Sequence, residues 1–444
     1  MRIQLSDHFT YRKLLRFTLP SIGTMIFTSI YGVVDGFFVS NFAGKTPFAA
    51  VNLIMPALMI LSTVGFMFGT GGSAIVAHCL GQKDREKANR LFSLFVYTSF
   101  AIGIFFSILG LLFVRPVSIF LGAEGVLLED CVLYGRILLI SLPFFVLQLL
   151  FQSFFVTAER PNLGLASTVI SGLTNMVLDA VLVILLPQPL KLTGAAVASA
   201  ASQIIGGIFP LFYFGRKNSS LIRLQRPSFD GKALWKACTN GSSELMSNVS
   251  MSLVGILYNW QLIRYAGENG IAAYGVMMYV SMIFASVFIG YSIGAAPIIS
   301  FHDGSGNSSE CKALLKKSLC LILLFSVGMT LFAELLASPL SLLFVGYDPD
   351  LLSLTVRGFR IFSFSFLFMG LAIFGSGFFT ALNDGLTSAL ISFLRTLIFQ
   401  VLAVLTLPLL FKIDGVWFSI IVAEGAAAAL TAVFLKAKQK KYRY

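Results

Sequence analysis

The chain has 444 residues, of which 57% are hydrophobic and only 12% are charged, and its formal net charge is +12. Soluble chains carry about 25% charged residues, so this composition indicates a polytopic membrane protein and excludes a large water-soluble domain. The Lys and Arg residues concentrate in short connections and at both ends, as the positive-inside rule requires. We therefore expect membrane lipid around the chain and no nucleic-acid partner.

The first apolar stretch, residues 14–42, is longer than the roughly 20 residues that a helix needs to cross a bilayer. It is also too long for a signal-peptide core, so we expect a retained first helix. Near its far end lies Asp35, and a carboxylate inside hydrocarbon costs about 2.5–3.5 kcal/mol. Such a residue serves either as a hydrogen-bond partner for a neighbouring helix or as an ion-coupling group, and the remaining sequence favours the second interpretation.

Twelve segments satisfy the length criterion for a membrane span. They lie near residues 14–42, 48–80, 91–115, 126–157, 163–187, 193–215, 241–266, 270–301, 313–337, 350–382, 385–411 and 415–437. Both chain ends and the second, sixth and eighth connections are basic, which predicts that both ends and every even-numbered connection face the cytoplasm. Four prolines are candidate bends, because each removes an internal backbone hydrogen bond. They are Pro20, Pro56, Pro143 and Pro297.

The chain repeats itself at an offset of 221–224 residues. Gly71 and Gly81 recur as Gly294 and Gly304, and the later pairs include Pro187 with Pro408. Because six spans separate the copies, the repeat has parallel topology, a plan known from transporters that bind their substrate between two lobes. We predict an all-α integral membrane fold of twelve transmembrane helices in two pseudo-symmetric six-helix lobes. The N-lobe is expected over residues 1–225 and the C-lobe over residues 226–444.

Polar residues of the first lobe fall at one predicted depth. Asn175 and Asp179 are four residues apart and share a face of the fifth helix, while Asp35 and Ser199 reach the same level from the first and sixth helices. These four residues are the predicted ion-coupling site. Their oxygens suit Na⁺, and two close carboxylates in a low dielectric suit proton exchange equally well. Three residues are expected to support this N-lobe cavity: Tyr134, Gln203 and Pro20.

The second lobe does not copy this set of residues. Tyr258 and Gln400 stand at the repeat-equivalent positions of Asp35 and Asp179, which predicts that only the first lobe houses a coupling ion. Three charged residues of the second lobe are candidates for a gate or a cavity: Glu244, Arg395 and Glu424. We expect Glu244 to pair with Arg395. Glu424 is expected either in the substrate cavity or paired with Arg357 or Arg360.

Several signals argue against other chemistry. The three histidines lie far apart without ligand spacing, and the five cysteines contain no CxxC, so no metal other than Na⁺ is expected. The GTGGS run at residues 69–73 lies inside an apolar helix and lacks the GK[ST] of a phosphate loop. No nucleophile–base pattern or nucleotide motif is present, so we expect neither an enzyme nor a cofactor.

Several stretches together resemble the MATE (multidrug and toxic compound extrusion) family, bacterial type. They are LPSIGTMIFTSIYGVVDGFFVSNFAG (19–44), FMFGTGGSAIVAHCLGQKDREKANRLFS (66–93), NMVLDAVLV (175–183), TGAAVASAASQ (193–203), GIAAYGV (270–276), IGYSIGAAPIISFHDG (289–304) and GVWFSIIVAEG (415–425). The resemblance implies a secondary active antiporter of the inner (plasma) membrane. By this resemblance it would export cationic, amphipathic compounds in exchange for H⁺ or Na⁺ by alternating access. We expect the chain to act as a monomer.

The resemblance also carries the coupling site onto Asp35, Asn175 and Asp179, with Ser199 where many members have Thr, and it gives Pro20 a role in bending the first helix. The absence of a carboxylate within the tenth helix favours the branch of the family that couples through the first lobe. An alternative in the same superfamily is a flippase for lipid-linked oligosaccharides or peptidoglycan precursors. It would need arginines in the cavity for a pyrophosphate head. The candidates are Arg136, Arg264, Arg357, Arg360 and Arg395.

Overall fold

The computed structural model describes residues 3–444, and these residues form helices and short connections without a β-strand among them. The α-helices are α1 (Tyr11–Phe38), α2 (Lys45–Gly81), α3 (Arg85–Phe120), α4 (Gly125–Thr157), α5 (Pro161–Leu185), α6 (Lys191–Gly215), α7 (Gly231–Gly304), α8 (Ser308–Val345), α9 (Pro349–Ser363), α10 (Phe366–Ala381), α11 (Gly385–Phe393) and α12 (Phe399–Tyr442). Two π-helical turns, Val39–Ala43 and Leu394–Ile398, extend α1 and join α11 to α12.

The helices account for the twelve predicted spans. Nine helical stretches of the described chain are long and apolar enough to cross a membrane, and α9 with α10, bent by 47°, forms a tenth. Two of the nine contain a residue with non-helical dihedral angles, Gly267 in α7 and Lys412 in α12. Each of these residues divides its helix into two spans, which gives twelve. The four candidate prolines lie inside helices, whereas the sharp breaks occur at other residues.

Four connections lie on one face of the molecule together with both ends of the described chain. This arrangement follows from the contacts of the N-terminal segment with Glu159 and Glu310, and of Tyr442 with Asp384. We call it the terminal face. Each of the four connections contains one residue whose backbone φ angle lies in the left-handed region, directly after a helix ends. The four residues form two pairs, separated by 223 and 224 positions along the chain. These pairs are Lys83 with Gly306 and Glu159 with Asn383.

The two halves cross through reciprocal glycine contacts near the terminal face. A Cβ at Gly81 would lie 2.1 Å from the carbonyl oxygen of Phe301, and a Cβ at Gly304 would lie 2.2 Å from that of His78. Both pairs are related by the same offset of 223 residues. The repeat read from the sequence is therefore realised as a pseudo-twofold contact between α2 and α7. Only glycine permits so close an approach of two backbones.

Hydrogen bonds also hold the halves together on this side. Ser300 donates to the carbonyl of Ala74 at 2.6 Å, and the side-chain amide of Asn240 donates to that of Gly71 at 3.2 Å. The hydroxyl groups of Ser29 and Ser286 form a hydrogen bond of 2.6 Å between the halves. Among the described residues, no other hydrogen bond between the halves lies further from the terminal face. The conformation is therefore one in which the terminal face is closed.

The crossing predicts a strong effect of a single methyl group. Gly81→Ala should lower the free energy of unfolding by about 1–3 kcal/mol, because the backbones of α2 and α7 must separate to admit the Cβ. Gly255→Ala is the matched control in α7, where a Cβ would meet nothing within 4 Å. Thermal unfolding of the detergent-solubilised variants measures the difference. Equal stability of the two variants would contradict the close crossing.

Candidate ion-coupling site

Three helices of the first half bring four predicted residues together in the interior. Asp35 lies near the end of regular α1, Asn175 and Asp179 lie one turn apart on α5, and Ser199 lies on α6. The exposed fractions of their side chains do not exceed 8%. Alanine and valine side chains from α5 and α6 pack around them, so the polar groups sit in an apolar surround.

The hydrogen bonds of this cluster leave acceptor atoms unused. The Ser199 hydroxyl donates to Asp35 Oδ1 at 3.3 Å, and the Asn175 amide donates to the Ser199 hydroxyl at 3.3 Å. Both carboxylate oxygens of Asp179 and the Asn175 amide oxygen are buried without a hydrogen-bond partner among the described residues. Buried polar atoms without a partner are uncommon, and they mark a place where a further polar species satisfies them.

Two tyrosines flank the carboxylates. Tyr134 on α4 is fully buried, and its hydroxyl has no hydrogen-bond partner among the residues that the structure describes, which agrees with its predicted place beside the site. Tyr31 was missed by the sequence reasoning. It lies one turn before Asp35 on α1, and its ring packs against α5 beside Gly172. The four-residue spacing between Tyr31 and Asp35 is the signal that would have identified it.

The other two predicted supporting residues are Gln203 and Pro20. The Gln203 side-chain oxygen accepts a 2.6 Å hydrogen bond from Ser141 on α4. Gln203 also borders a small pocket whose other walls are apolar residues of α2 and α4. Pro20 lies fifteen residues before Asp35 on α1, a distance of about 22 Å along the helix axis.

The second half replaces this cluster by paired groups. The Tyr258 hydroxyl donates to the Gln400 side-chain oxygen at 2.8 Å, so the residues equivalent to Asp35 and Asp179 satisfy one another. Tyr258 also stacks on Tyr274 with ring centroids 5.3 Å apart. This cluster carries no unpaired carboxylate at the positions of Asp35 and Asp179.

Our expected ion pairs in the second half are wrong. Arg395 Nε donates to Glu424 Oε2 at 2.8 Å, and Arg357 pairs with Asp414. Arg395 therefore does not pair with Glu244, and Glu424 does not pair with Arg357 or Arg360. Arg395 lies in the π-helical turn after α11, and Glu424 lies on the part of α12 that follows the break at Lys412.

Glu244 lies apart from that pair on α7. It is one turn after Gly241, whose backbone contacts Met67 of α2, so it follows the crossing of the two halves. Within the described chain, no three His, Cys, Asp or Glu side chains meet in a way that would hold a metal ion. The chemistry of the interior is therefore that of carboxylate, amide and hydroxyl oxygens.

Comparison with known proteins identifies the family. The sequence profile of the MatE family matches residues 20–181 and 245–405, stretches that begin 225 residues apart, close to the internal repeat. This chain belongs to the MatE family. MatE proteins are membrane transporters, so the predictions of a transporter, of a multi-pass membrane protein and of a chain without enzymatic activity are confirmed.

Curated relatives and solved structures match almost the whole MatE chain. The Multidrug export protein MepA of Staphylococcus haemolyticus is 27% identical over 428 residues, which cover 96% of this chain and 93% of that protein. MepA of Staphylococcus aureus (strain MSSA476) is 25% identical over 96% of this chain and 94% of that protein. A structure described as the outward-facing conformation of a multidrug resistance MATE family transporter superposes with a TM-score of 0.92. The two sequences are 20% identical, and the superposition covers 98% of this chain and 97% of that chain. At this identity the match shows only that the two proteins share the all-helical twelve-span fold.

The paired charges of the second half generate a prediction for this MatE protein. Arg395→Met should destabilise the fold by about 3–5 kcal/mol, because it leaves the Glu424 carboxylate buried and unpaired. Replacing both partners by Met should recover most of that loss. Arg357→Met, which removes a pair whose arginine is 68% exposed, should cost less than about 1 kcal/mol. Thermal unfolding in detergent measures all three, and equal losses for the two single variants would contradict the assignment.

Proposed function

We propose that this MatE protein is a multidrug efflux antiporter that exports organic cationic, amphipathic compounds in exchange for H⁺ or Na⁺ by alternating access. One observation carries the proposal: two buried carboxylates of the first half, Asp35 and Asp179, have no basic partner among the residues that the structure describes. A positive charge that enters and leaves is the simplest way to satisfy them.

The chemistry of the cluster supports exchange of the coupling ion. Na⁺ prefers hard oxygen ligands, which the Asp35 and Asp179 carboxylates and the Asn175 amide supply. A proton shared by the two carboxylates would serve as well, because like charges close together in a low dielectric cannot both persist. Either cation would relieve the same electrostatic cost. In the second half, by contrast, Arg395 supplies a permanent counter-ion to Glu424.

The substrate class rests on the relatives and on the interior surfaces. The MepA relatives are multidrug export proteins, and the buried carboxyl groups of Asp35 and Asp179 favour a positively charged substrate. The pocket beside Gln203 adds an apolar surface. Its walls are Met55, Leu58, Met59, Leu138, Leu142 and Phe145. Methionine side chains adapt to many apolar shapes, as a transporter of varied amphipathic compounds needs.

Helix α1 supplies the coupling between ion binding and conformation. It carries Asp35 near one end, and at the other it crosses α7, where Thr18 and Ile22 contact the glycines at positions 294 and 290. Pro20 lies between these two contacts. A change of charge at Asp35 would change the packing of the part of α1 that follows Pro20. It would thereby favour or disfavour the crossing of α1 with α7 at Thr18 and Ile22. Coupling requires only that the ion and the drug bind the two conformations with different affinities.

The flippase alternative finds less support in the positions of the arginines. Arg395 is neutralised by Glu424 and Arg357 by Asp414, while Arg264 lies over the ring of Trp260 at 5.9 Å. Arg136 and Arg360 are exposed, and they lie in different halves of the chain. A pyrophosphate head needs several converging free guanidinium groups, and three of the five candidates already have local partners.

The remaining features of the proposal follow from the charge distribution and from the repeat. We place the terminal face in the cytoplasm and the protein in the inner (plasma) membrane, because the basic connections lie on that side. Residues 1–225 and 226–444 are the proposed lobes, and the transporter is proposed to act as a monomer. No cofactor other than the coupling ion is required.

Efflux from vesicles tests the proposal. Asp35→Asn should lower transport of a fluorescent organic cation at least about fivefold under an imposed pH or Na⁺ gradient, since the variant keeps the shape of the site and loses its charge. Asp350→Asn, at an exposed position in the first turn of α9, is the matched control and should transport as the wild type does. The gradient that drives wild-type efflux identifies the coupling ion. Normal pumping by Asp35→Asn under both gradients would refute the site.

A further inference from the structure

The N-terminal segment before α1, residues 3–10, lies across the terminal face in contact with both halves. We call it the strap. Its two apolar anchors, Leu5 and Phe9, are fully buried and belong to the hydrophobic cluster formed mainly by the second half. The strap forms a turn in which the backbone N–H of Gln4 donates a 2.9 Å hydrogen bond to the Asp7 carboxylate. Asp7 also forms an ion pair with Lys13 at 2.7 Å.

Two buried carboxylates on opposite halves bind the strap. The Leu5 amide donates at 2.7 Å to Glu159, in the connection between α4 and α5. The Phe9 amide donates at 2.9 Å to Glu310 Oε1, and His8 Nδ1 lies 2.7 Å from Glu310 Oε2. Both oxygens of Glu310, in the first turn of α8, are therefore used by the strap. Hydrogen bonds to an ionised acceptor are among the stronger ones in proteins.

These carboxylates depart from the internal repeat. Lys87 stands in the first half at the position equivalent to Glu310, and Asn383 stands in the second half at the position equivalent to Glu159. Neither acid is therefore demanded by the repeated scaffold. Each instead meets a feature that occurs once in the chain, the backbone of the strap. Lys317 on α8 adds a third contact through a hydrogen bond to the Phe9 carbonyl.

We propose that the strap is a latch that holds the terminal face closed by bridging Glu159 of the first half to Glu310 of the second. The inference rests on the proposed function in one respect, that the halves separate at this face during transport. When they separate, the elements that carry the two carboxylates move apart. The strap is only eight residues long and continues into α1, so it must then release either Glu159 or Glu310. The strap thus sets how often the terminal face opens.

Distances between labels on the two halves test the latch directly. Nitroxide labels at Lys87 on α3 and Lys312 on α8, both exposed, report opening of the terminal face in a background whose five cysteines are replaced. Glu159→Gln and Glu310→Gln should each raise the long-distance population about tenfold, because each weakens one charge-assisted anchor. Glu86→Gln, which changes a 78% exposed carboxylate on the same face, is the matched control and should leave the population unchanged.

Non-additivity separates a bridge from two local effects. A latch is released when either anchor fails, so the variant with both substitutions should open little more than either single variant. His8→Ala, at a side chain that is 69% exposed, should fold readily and should open the face to a smaller extent. Additive effects, or unchanged distances in His8→Ala and in both single variants, would overturn the latch. The measurement needs no substrate, so a failure of the efflux assay leaves its result intact.

Discussion

The burial of two carboxyl groups in the first half, without a basic partner among the described residues, is the constraint on which the structure depends. Asp35 and Asp179 are buried together, whereas the second half holds Tyr258 with Gln400 at the same positions and Arg395 with Glu424 nearby. Burying a charge without a partner is among the costliest features that a fold can carry. The second half shows that neutral residues which hydrogen-bond to each other, Tyr258 and Gln400, fit these positions of the repeat. The first half has carboxyl groups there instead. This difference between the halves points to function, whereas the features that the halves share build the scaffold.

The symmetric part of the molecule serves movement. Glycine pairs related by about 223 residues, such as Gly81 with Gly304, let α2 and α7 approach backbone to backbone at the terminal face. At each of these crossings the contact is made by backbone and small side chains. A crossing of this kind suits the rocking of the two halves that we propose.

The sequence predicted the features that depend on helical periodicity and on the repeat offset. It did not predict the side-chain contacts that depend on how a helix is rotated about its axis. The spans follow from apolar length, and Asp35, Asn175, Asp179 and Ser199 meet because their depths and helix faces are fixed by spacing. By contrast, Gln203 turns to Ser141, and Arg395 reaches Glu424 rather than Glu244. Those choices depend on the π-helical turn at Leu394–Ile398 and on the packing of whole helices. No local pattern in the residues specifies either.

Helix α1 and the strap before it place three elements of the transporter on one continuous piece of chain. From the N-terminus these are the latch to Glu159 and Glu310, the crossing of Thr18 and Ile22 with α7, and the carboxylate of Asp35. In the mechanism that we propose, the latch and the ion site need not touch to be coupled, because both act on the same crossing of α1 with α7. Free energy that the latch contributes to the closed form is then free energy that ion binding must overcome.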